Sequence, residues 1–225
     1  LLVTGLCLCL ILPISAQIAL DFIDMAEERD NDPFFLAIFP LAPHVESCDG
    51  FDPDGPAVLP EVYKDLFRRR IRPPQRHESY LPLVEEVAAE LFDGANPLRP
   101  SFNERFLRDK SPQMQERLEP LDESDVRELV EQFAGRVVSL MAVDDLVGDL
   151  VKQLTLQDEI NDTIILLTSD NGWQNGEHRM TAKGAMYEES ARVPLYARVP
   201  DDLSPRESSA MVLNTDLAPT LAAIY

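Results

Sequence analysis

Cysteine is scarce in this sequence, and its spacing excludes a cysteine-based metal site. Cys7, Cys9 and Cys48 are the three cysteines among 225 residues. The first two lie in an apolar run, where a thiol behaves as a small hydrophobic group. The cysteines therefore leave the redox compartment of the protein open.

Positive charge is scarce as well. The chain has 20 Lys and Arg against 40 Asp and Glu, which gives a formal net charge of -20. A field of this sign opposes binding to nucleic acid and to anionic membranes, so neither is expected as a partner. A polyanionic substrate would need a local basic pocket. The one dense basic run, at residues 68–76, is compatible with a solvated surface or with an anion-facing patch.

Long apolar runs are absent except at the start of the chain, in residues 1–17. This segment ends in Ile-Ser-Ala-Gln and resembles the apolar region and cleavage site of a secretory signal, although a basic stretch is missing. Its run of about 14 apolar residues is short for a membrane span. A signal peptide, a buried strand or helix, and a membrane anchor remain as interpretations, and no stable membrane span is expected. The signal-like pattern favours a secreted, lysosomal or periplasmic protein.

With 225 residues, 45% of them hydrophobic, the chain is expected to form one domain or a large piece of one, over residues 18–225. Both ends look cut, since the chain starts at Leu1 and stops directly after an apolar helical pattern. Ile18, Phe22 and Met25 have helical spacing, which predicts a short amphipathic helix over Ile18 to Arg29 with these residues on its apolar face. Residues 34–39 are continuously apolar, which favours a strand buried on both faces of a parallel sheet. Residues 46–120 are rich in Pro, Gly, Asp and Arg, and we expect a long loop excursion there.

The second half of the chain alternates helix and strand patterns. Apolar residues at helical spacing predict one long helix over residues 125–156. Residues 163–168 and 193–199 are predicted strands, and residues 215–225 a short helix capped by Thr215. This order of elements is typical of an α/β fold.

Two adjacent oxygen donors follow the predicted strand at residues 163–168. Asp170 and Asn171 leave its carboxyl end, where ligands bind in open parallel sheets, and Gly172 permits close backbone approach. Hard oxygen donors suit Ca²⁺ or Mg²⁺. The same residues also form a favourable turn for local reasons, so the four-residue motif alone leaves both interpretations open.

A series of short motifs continues from this point to Pro200. They are, in order, Thr168-Ser169-Asp170-Asn171-Gly172, Gly176-Glu177-His178-Arg179, Lys183-Gly184, Tyr187-Glu188-Glu189-Ser190 and Arg192-Val193-Pro194. Together they resemble the corresponding segment of the type I sulfatase family. Upstream, Pro33-Phe34-Phe35-Leu36 and Ala42-Pro43-His44 are similar to the strand and histidine of that family. Asn103, Asp109-Lys110 and Asp144-Asp145 are closest to its N-acetylglucosamine-6-sulfatase and heparan sulfatase branch.

The resemblance implies an alkaline-phosphatase-like α/β sandwich with a mostly parallel central sheet, incomplete at its N-terminus. It implies hydrolysis of sulfuric esters on sulfated carbohydrates, of the glucosamine 6-sulfate type. Asp170 and Asn171 would bind a single Ca²⁺, while Lys183 and His44 would contact the sulfate ester and carry catalysis. A lysine attracts the sulfate oxygens, and a histidine can protonate the leaving oxygen. His178 is interpreted as structural.

The sequence departs from the family pattern in two respects. The family's nucleophile, a formylglycine made from Cys or Ser in a C/S-x-P-S-R motif, has no counterpart in these 225 residues, nor does the Asp-Asp pair of the first strand. Asp144-Asp145 falls inside the predicted long helix instead. We therefore expect no turnover by this chain as written. An incomplete sulfatase, a non-catalytic pseudosulfatase that binds sulfated glycans, and a related phosphoester or phosphonate hydrolase are the alternatives.

Overall fold

The computed structural model describes residues 2–3, 12–28, 33–40, 42–43, 78–92, 99–200 and 204–224. His44, the basic run at 68–76 and all three cysteines lie outside these ranges. The chain divides into two compact units. The first comprises residues 1–158 and 175–181, and the second comprises residues 159–174 and 182–225.

The first helix, α1, spans Leu12–Glu27 and so begins before the predicted start at Ile18. Its buried residues are Ala19, Phe22 and Ile23, and the helix packs against the long helix of the first unit. The predicted apolar face is only partly correct, since the side chains of Ile18 and Met25 are exposed. A helix that packs against one neighbour buries only the stripe that faces it.

Two short strands, β1 (Leu2–Val3) and β2 (Phe35–Leu36), pair in parallel. The strand predicted over residues 34–39 is therefore shorter than expected, and its burial on both faces was wrong. Phe35 is 46% exposed and Phe39 67% exposed. Within the described residues β2 pairs with β1 alone, and its own residues are exposed or half-buried.

The loop excursion predicted over residues 46–120 is corrected for the part of that segment that the structure describes. It contains helix α2 (Leu81–Leu91), which follows a 3-10 turn at Glu78–Tyr80, and helix α3 (Pro112–Arg117). Both helices carry proline in the first turn, where no intrahelical N–H donor is needed. Two of the prolines that favoured a loop in this segment thus lie where helices begin.

The same segment also supplies much of the core of the first unit. Ala88, Phe92 and Phe102 form a buried cluster with Leu129. The ring of Phe92 meets that of Phe102 edge to face, with the centroids 5.4 Å apart. The Arg99 guanidinium lies 4.5 Å from the Phe92 centroid, within range of a cation–π contact.

The long helix predicted over 125–156 is confirmed as α4, Glu123–Leu156. It begins in a capping box, in which the Asp122 carboxylate accepts hydrogen bonds from the backbone N–H groups of Ser124 and Asp125, at 2.7 and 3.0 Å. Asp144 and Asp145 lie within it, as predicted. Its buried residues are Leu129, Ala134, Val138, Ala142, Val143, Leu146 and Leu154.

A hairpin links β4 (Gln174–Asn175) and β5 (Thr181–Ala182), and its turn belongs to the first unit. Arg179 in this turn donates to three backbone carbonyls, those of Glu104, Leu118 and Arg105, at 2.9, 2.9 and 3.0 Å. Gly176 has φ +93°, and a β-carbon there would collide with the Phe102 ring. One side chain and one glycine thus hold the turn against the 99–121 segment.

The second unit contains β3 (Ile165–Thr168) and β6 (Leu195–Arg198), which form an antiparallel pair. Both lie within the strands predicted over 163–168 and 193–199. Among the described strands, β1 and β2 pair in parallel. The Arg198 guanidinium donates to the carbonyls of Ile160 and Thr163 and so fixes the turn before β3.

Two helices complete the second unit, α5 (Glu188–Ala191) and α6 (Leu217–Ile224). A 3-10 turn at Asn214–Asp216 precedes α6. The predicted cap at Thr215 was wrong. Instead, the Asp216 carboxylate accepts from the backbone N–H of Leu213 at 2.9 Å, because the chain enters the helix through one tighter turn.

Candidate functional site

The candidate site begins where β3 ends, at the turn from Ser169 to Gly172. The Ser169 hydroxyl donates to the Asn171 carbonyl at 2.9 Å. The Asp170 Oδ1 accepts from the backbone N–H of Asn171, also at 2.9 Å. The turn interpretation of this motif is therefore correct, and it leaves the other carboxylate oxygen of Asp170 available to a ligand.

The side-chain amide of Asn171 has a defined orientation. Its Nδ2 donates to the Gly172 carbonyl at 2.7 Å, and its Oδ1 accepts from Lys183 Nζ at 2.9 Å. Two predicted site residues, twelve positions apart in sequence, are thus in direct contact. The Lys183 ammonium is a group suited to a tetrahedral oxyanion.

Gly172 allows this turn to pack tightly against α5. Its N–H donates to the Ser190 carbonyl at 2.9 Å. A β-carbon at this position would collide with the backbone carbonyl oxygens of Glu189 and Arg192. The close backbone approach predicted for Gly172 is confirmed, and its partner is the chain itself.

An open depression of about 500 Å³ adjoins the Lys183–Asn171 pair. The Ser190 hydroxyl shapes its floor by accepting from the Gly184 N–H at 3.1 Å. Met186 at its rim is fully exposed. The lining residues are Asn171, Lys183, Gly184, Ala185, Met186, Tyr187, Glu188, Ser190 and Ala191.

Sequence reasoning missed Asn214 as part of this turn. Its Nδ2 donates to the carbonyls of Ser169 and Asp170, at 2.9 and 3.4 Å. An asparagine beside a helix start has ordinary local explanations, so the sequence carried no signal for this longer contact.

Two histidines are the remaining candidates, His44 and His178. His44 lies outside the described residues. His178 lies in the first unit, where its ring Nδ1 is 3.2 Å from Glu104 Oε1. Its backbone N–H donates to the Ser101 carbonyl at 2.7 Å. These contacts agree with the interpretation of His178 as a structural residue.

The side-chain oxygens of Asp170 and Asn171 fit a hard cation in chemical type but not in number. One free carboxylate oxygen of Asp170 and the Asn171 Oδ1 are of the right chemical type for Ca²⁺. Among the residues described here, no cluster of three or more His, Cys, Asp or Glu side chains is placed to bind a metal. The pair therefore fits as part of a shell of about six to eight oxygens, with the others to come from elsewhere.

Comparison with known proteins decides the family. The family model described as Sulfatase matches residues 13–224, nearly the whole chain. The chain belongs to the sulfatase family. The predicted resemblance is thereby confirmed, and so is membership in a family of sulfuric ester hydrolases.

Curated members of the sulfatase family extend this finding. The chain is 29% identical over 210 residues to the N-acetylglucosamine-6-sulfatases of Capra hircus and Homo sapiens, which covers 93% of this chain and 31% of each relative. It is 41% identical over 85 residues to the N-acetylglucosamine-6-O-sulfatase of Bacteroides thetaiotaomicron, or 37% of this chain and 15% of that protein. The chain thus spans about a third of the length of the mammalian relatives.

A solved structure supports the fold. The sulfatase-family protein yidJ of Bacteroides fragilis matches with a TM-score of 0.60 and 23% identity, over 94% of this chain and 36% of that one. This likeness confirms the alkaline-phosphatase-like α/β class.

In the described part of the chain, no helix is both long and apolar enough to cross a membrane.

Proposed function

We propose that this chain provides part of the active site of a sulfatase that hydrolyses sulfate esters of sugars. The observation that carries the proposal is the 2.9 Å contact between Lys183 Nζ and Asn171 Oδ1 beside the open depression. Both residues belong to motifs shared with the family to which the chain belongs. The pair combines a cation for an oxyanion with oxygen donors for a metal.

Lys183 would bind the sulfate group. Its side chain is exposed, so its ammonium can reach a bound ligand at little desolvation cost. Attraction to the sulfate oxygens increases as negative charge develops on them, which lowers the barrier rather than merely tightening binding. In the absence of metal, the Asn171 Oδ1 holds the ammonium at the edge of the depression.

Asp170 and Asn171 would hold one Ca²⁺ together with ligands from outside the described residues. When bound, this ion would polarise the sulfate oxygens as a Lewis acid. The contribution of the chain is orientation. Asn214 fixes the carbonyls of Ser169 and Asp170, and Gly172 lets the turn pack against α5.

His44 is proposed to donate a proton to the leaving oxygen of the sugar, as the resemblance to the family implies. The substrate is proposed to be of the glucosamine 6-sulfate type, on the support of the two mammalian relatives and the Bacteroides thetaiotaomicron relative. A secreted, lysosomal or periplasmic location accompanies that substrate class. The signal-like segment at 1–17 supports it.

The polypeptide of 225 residues is proposed to be inactive by itself, because it contains no C/S-x-P-S-R motif. Purified alone, it should release no sulfate from N-acetylglucosamine 6-sulfate. Calcium-dependent sulfate release by the isolated chain would contradict this. A pseudosulfatase, the alternative, would bind the sulfated sugar under the same conditions. It would release no sulfate even when produced from its complete coding sequence.

The function is tested with the protein made from its complete coding sequence. Sulfate release from N-acetylglucosamine 6-sulfate is measured against phosphate release from the 6-phosphate ester, with and without a calcium chelator. We expect release of sulfate alone, abolished by chelation and reduced at least about 100-fold by Lys183→Ala. Lys152→Ala, an exposed lysine of α4, is the matched control. Preference for the phosphate ester would overturn the proposal in favour of a phosphoester hydrolase.

A further inference from the structure

The surface turn before β3 carries a sequence that the proposed active site does not use. Asn161-Asp162-Thr163 matches Asn-x-Ser/Thr with a residue other than proline in the middle, the acceptor pattern for N-linked glycans. It is the one such triplet in the 225 residues, which contain seven asparagines. The match alone is weak, so its structural setting decides.

Asn161 ends a 3-10 turn, Glu159–Asn161, and its side chain is exposed. The turn is held by other groups. The Asp162 N–H and the Thr163 hydroxyl both donate to the Glu159 carbonyl, at 3.1 and 2.7 Å. The Arg198 guanidinium donates to the carbonyls of Ile160 and Thr163. The Asn161 amide makes no hydrogen bond within the described residues, so a substituent on it would break none of these contacts.

The position of Asn161 in the second unit also keeps a glycan away from the candidate site. Asn161 precedes β3, and Asp170 follows it. The four-residue strand β3 therefore lies between them, with Asn161 before its start and Asp170 after its end. A glycan at the start of the strand leaves the depression at its other end open to substrate.

We propose that Asn161 is an N-glycosylation site. The Asn161 Nδ2 forms a bond to the anomeric carbon of an oligosaccharide carried on a lipid pyrophosphate. The bond from that carbon to the pyrophosphate oxygen breaks, the lipid pyrophosphate leaves with the electron pair, and the amide loses one proton. The inference rests on the proposed secretory location, because the lipid-linked donor is used in that compartment.

The test separates the modification from the location. A cleavable eukaryotic secretion signal is placed before Leu1, so that the chain enters the secretory lumen whatever its natural route. The secreted protein is analysed by intact mass before and after peptide N-glycosidase, which releases the glycan and converts the modified asparagine to aspartate. Three forms are compared, the wild type, Asn161→Gln and Thr163→Ser.

We expect one glycan on the wild type and on Thr163→Ser, which keeps the acceptor pattern and the hydroxyl that bonds Glu159. We expect none on Asn161→Gln, with the same melting temperature as the enzymatically deglycosylated wild type. Secreted wild-type protein without a glycan would overturn the proposal, as would a glycan that persists in Asn161→Gln. Neither result bears on sulfate release, so failure here is distinguishable from failure of the proposed activity.

Discussion

Lys183 Nζ donates a hydrogen bond of 2.9 Å to Asn171 Oδ1, and the same oxygen is a proposed ligand of Ca²⁺. A lysine ammonium and a divalent cation cannot both occupy this oxygen without mutual repulsion. The pair therefore links metal binding to the position of the lysine. The link can be measured with substitutions at residue 183.

Lys183→Met is expected to strengthen Ca²⁺ binding about tenfold, because it removes a positive charge worth about 1–2 kcal/mol against a divalent ion near the surface. Isothermal titration calorimetry with Ca²⁺ measures this. Lys152→Met, on the exposed side of α4, should leave the affinity unchanged. An unaltered dissociation constant in Lys183→Met would show that Asn171 Oδ1 is not a ligand. The same substitution should lower turnover, so affinity and activity are expected to move in opposite directions.

Gly172→Ala is expected to destabilise the second unit by about 1–3 kcal/mol, the usual cost of overpacking. The added methyl would meet the carbonyl oxygens of Glu189 and Arg192, which belong to backbone and cannot turn away. Urea unfolding followed by circular dichroism measures the change.

Gly148→Ala is the matched control for that substitution. A β-carbon at Gly148 meets nothing within 4 Å, and the residue lies inside α4. Replacing glycine by alanine in a helix interior should therefore stabilise the protein by roughly 1 kcal/mol. Equal effects of the two substitutions would contradict the close approach of the Gly172 turn to α5.

Arg179→Ala is expected to lower the free energy of unfolding by about 2–4 kcal/mol, since three backbone carbonyls lose a charged donor. Arg179→Lys should recover little, because an ammonium cannot present the planar fork that reaches all three. Arg127→Ala, an exposed arginine of α4, serves as the control. Thermal melting that is the same for all variants would show that these contacts do not stabilise the first unit.

The cap of α4 predicts a pH dependence. Hydrogen bonds from the backbone N–H groups of Asp125 and Ser124 hold the pKa of Asp122 below its ordinary value of 3.8. A lowered folded-state pKa means that the cap stabilises the fold above the unfolded pKa and that this stabilisation is lost as pH falls through the folded pKa. Asp122→Asn keeps an oxygen acceptor without titrating. Its melting temperature should therefore fall less than that of the wild type upon acidification below about pH 4.

Patterns with one dominant cause were predictable from the sequence. The helical spacing of apolar residues predicted α4 to within two residues at its start, and β-branched residues predicted β3. The contact of Lys183 with Asn171 agrees with the motif that placed both in one site. The helix and the strand depend on local pattern, which a single sequence records, whereas the contact follows from the resemblance to the family.

Features that depend on tertiary contact were not predictable. Helix α2 was missed because the Pro-rich segment around it obscured the apolar spacing that buries Ala88 and Phe92. Asn214 was missed because its partners lie 44 and 45 positions away. The face of α1 was only partly predicted, since its packing against α4 decides which residues are covered.

One side chain closes the loop that leads into α4. The Asn103 amide donates to the Leu121 carbonyl and accepts from the Leu121 N–H, both at 2.9 Å, as a paired strand would. Residues 103 and 121 are therefore held together independently of the chain between them. A protease that cut within α3 would produce two fragments that stay associated and migrate together until a denaturant separates them.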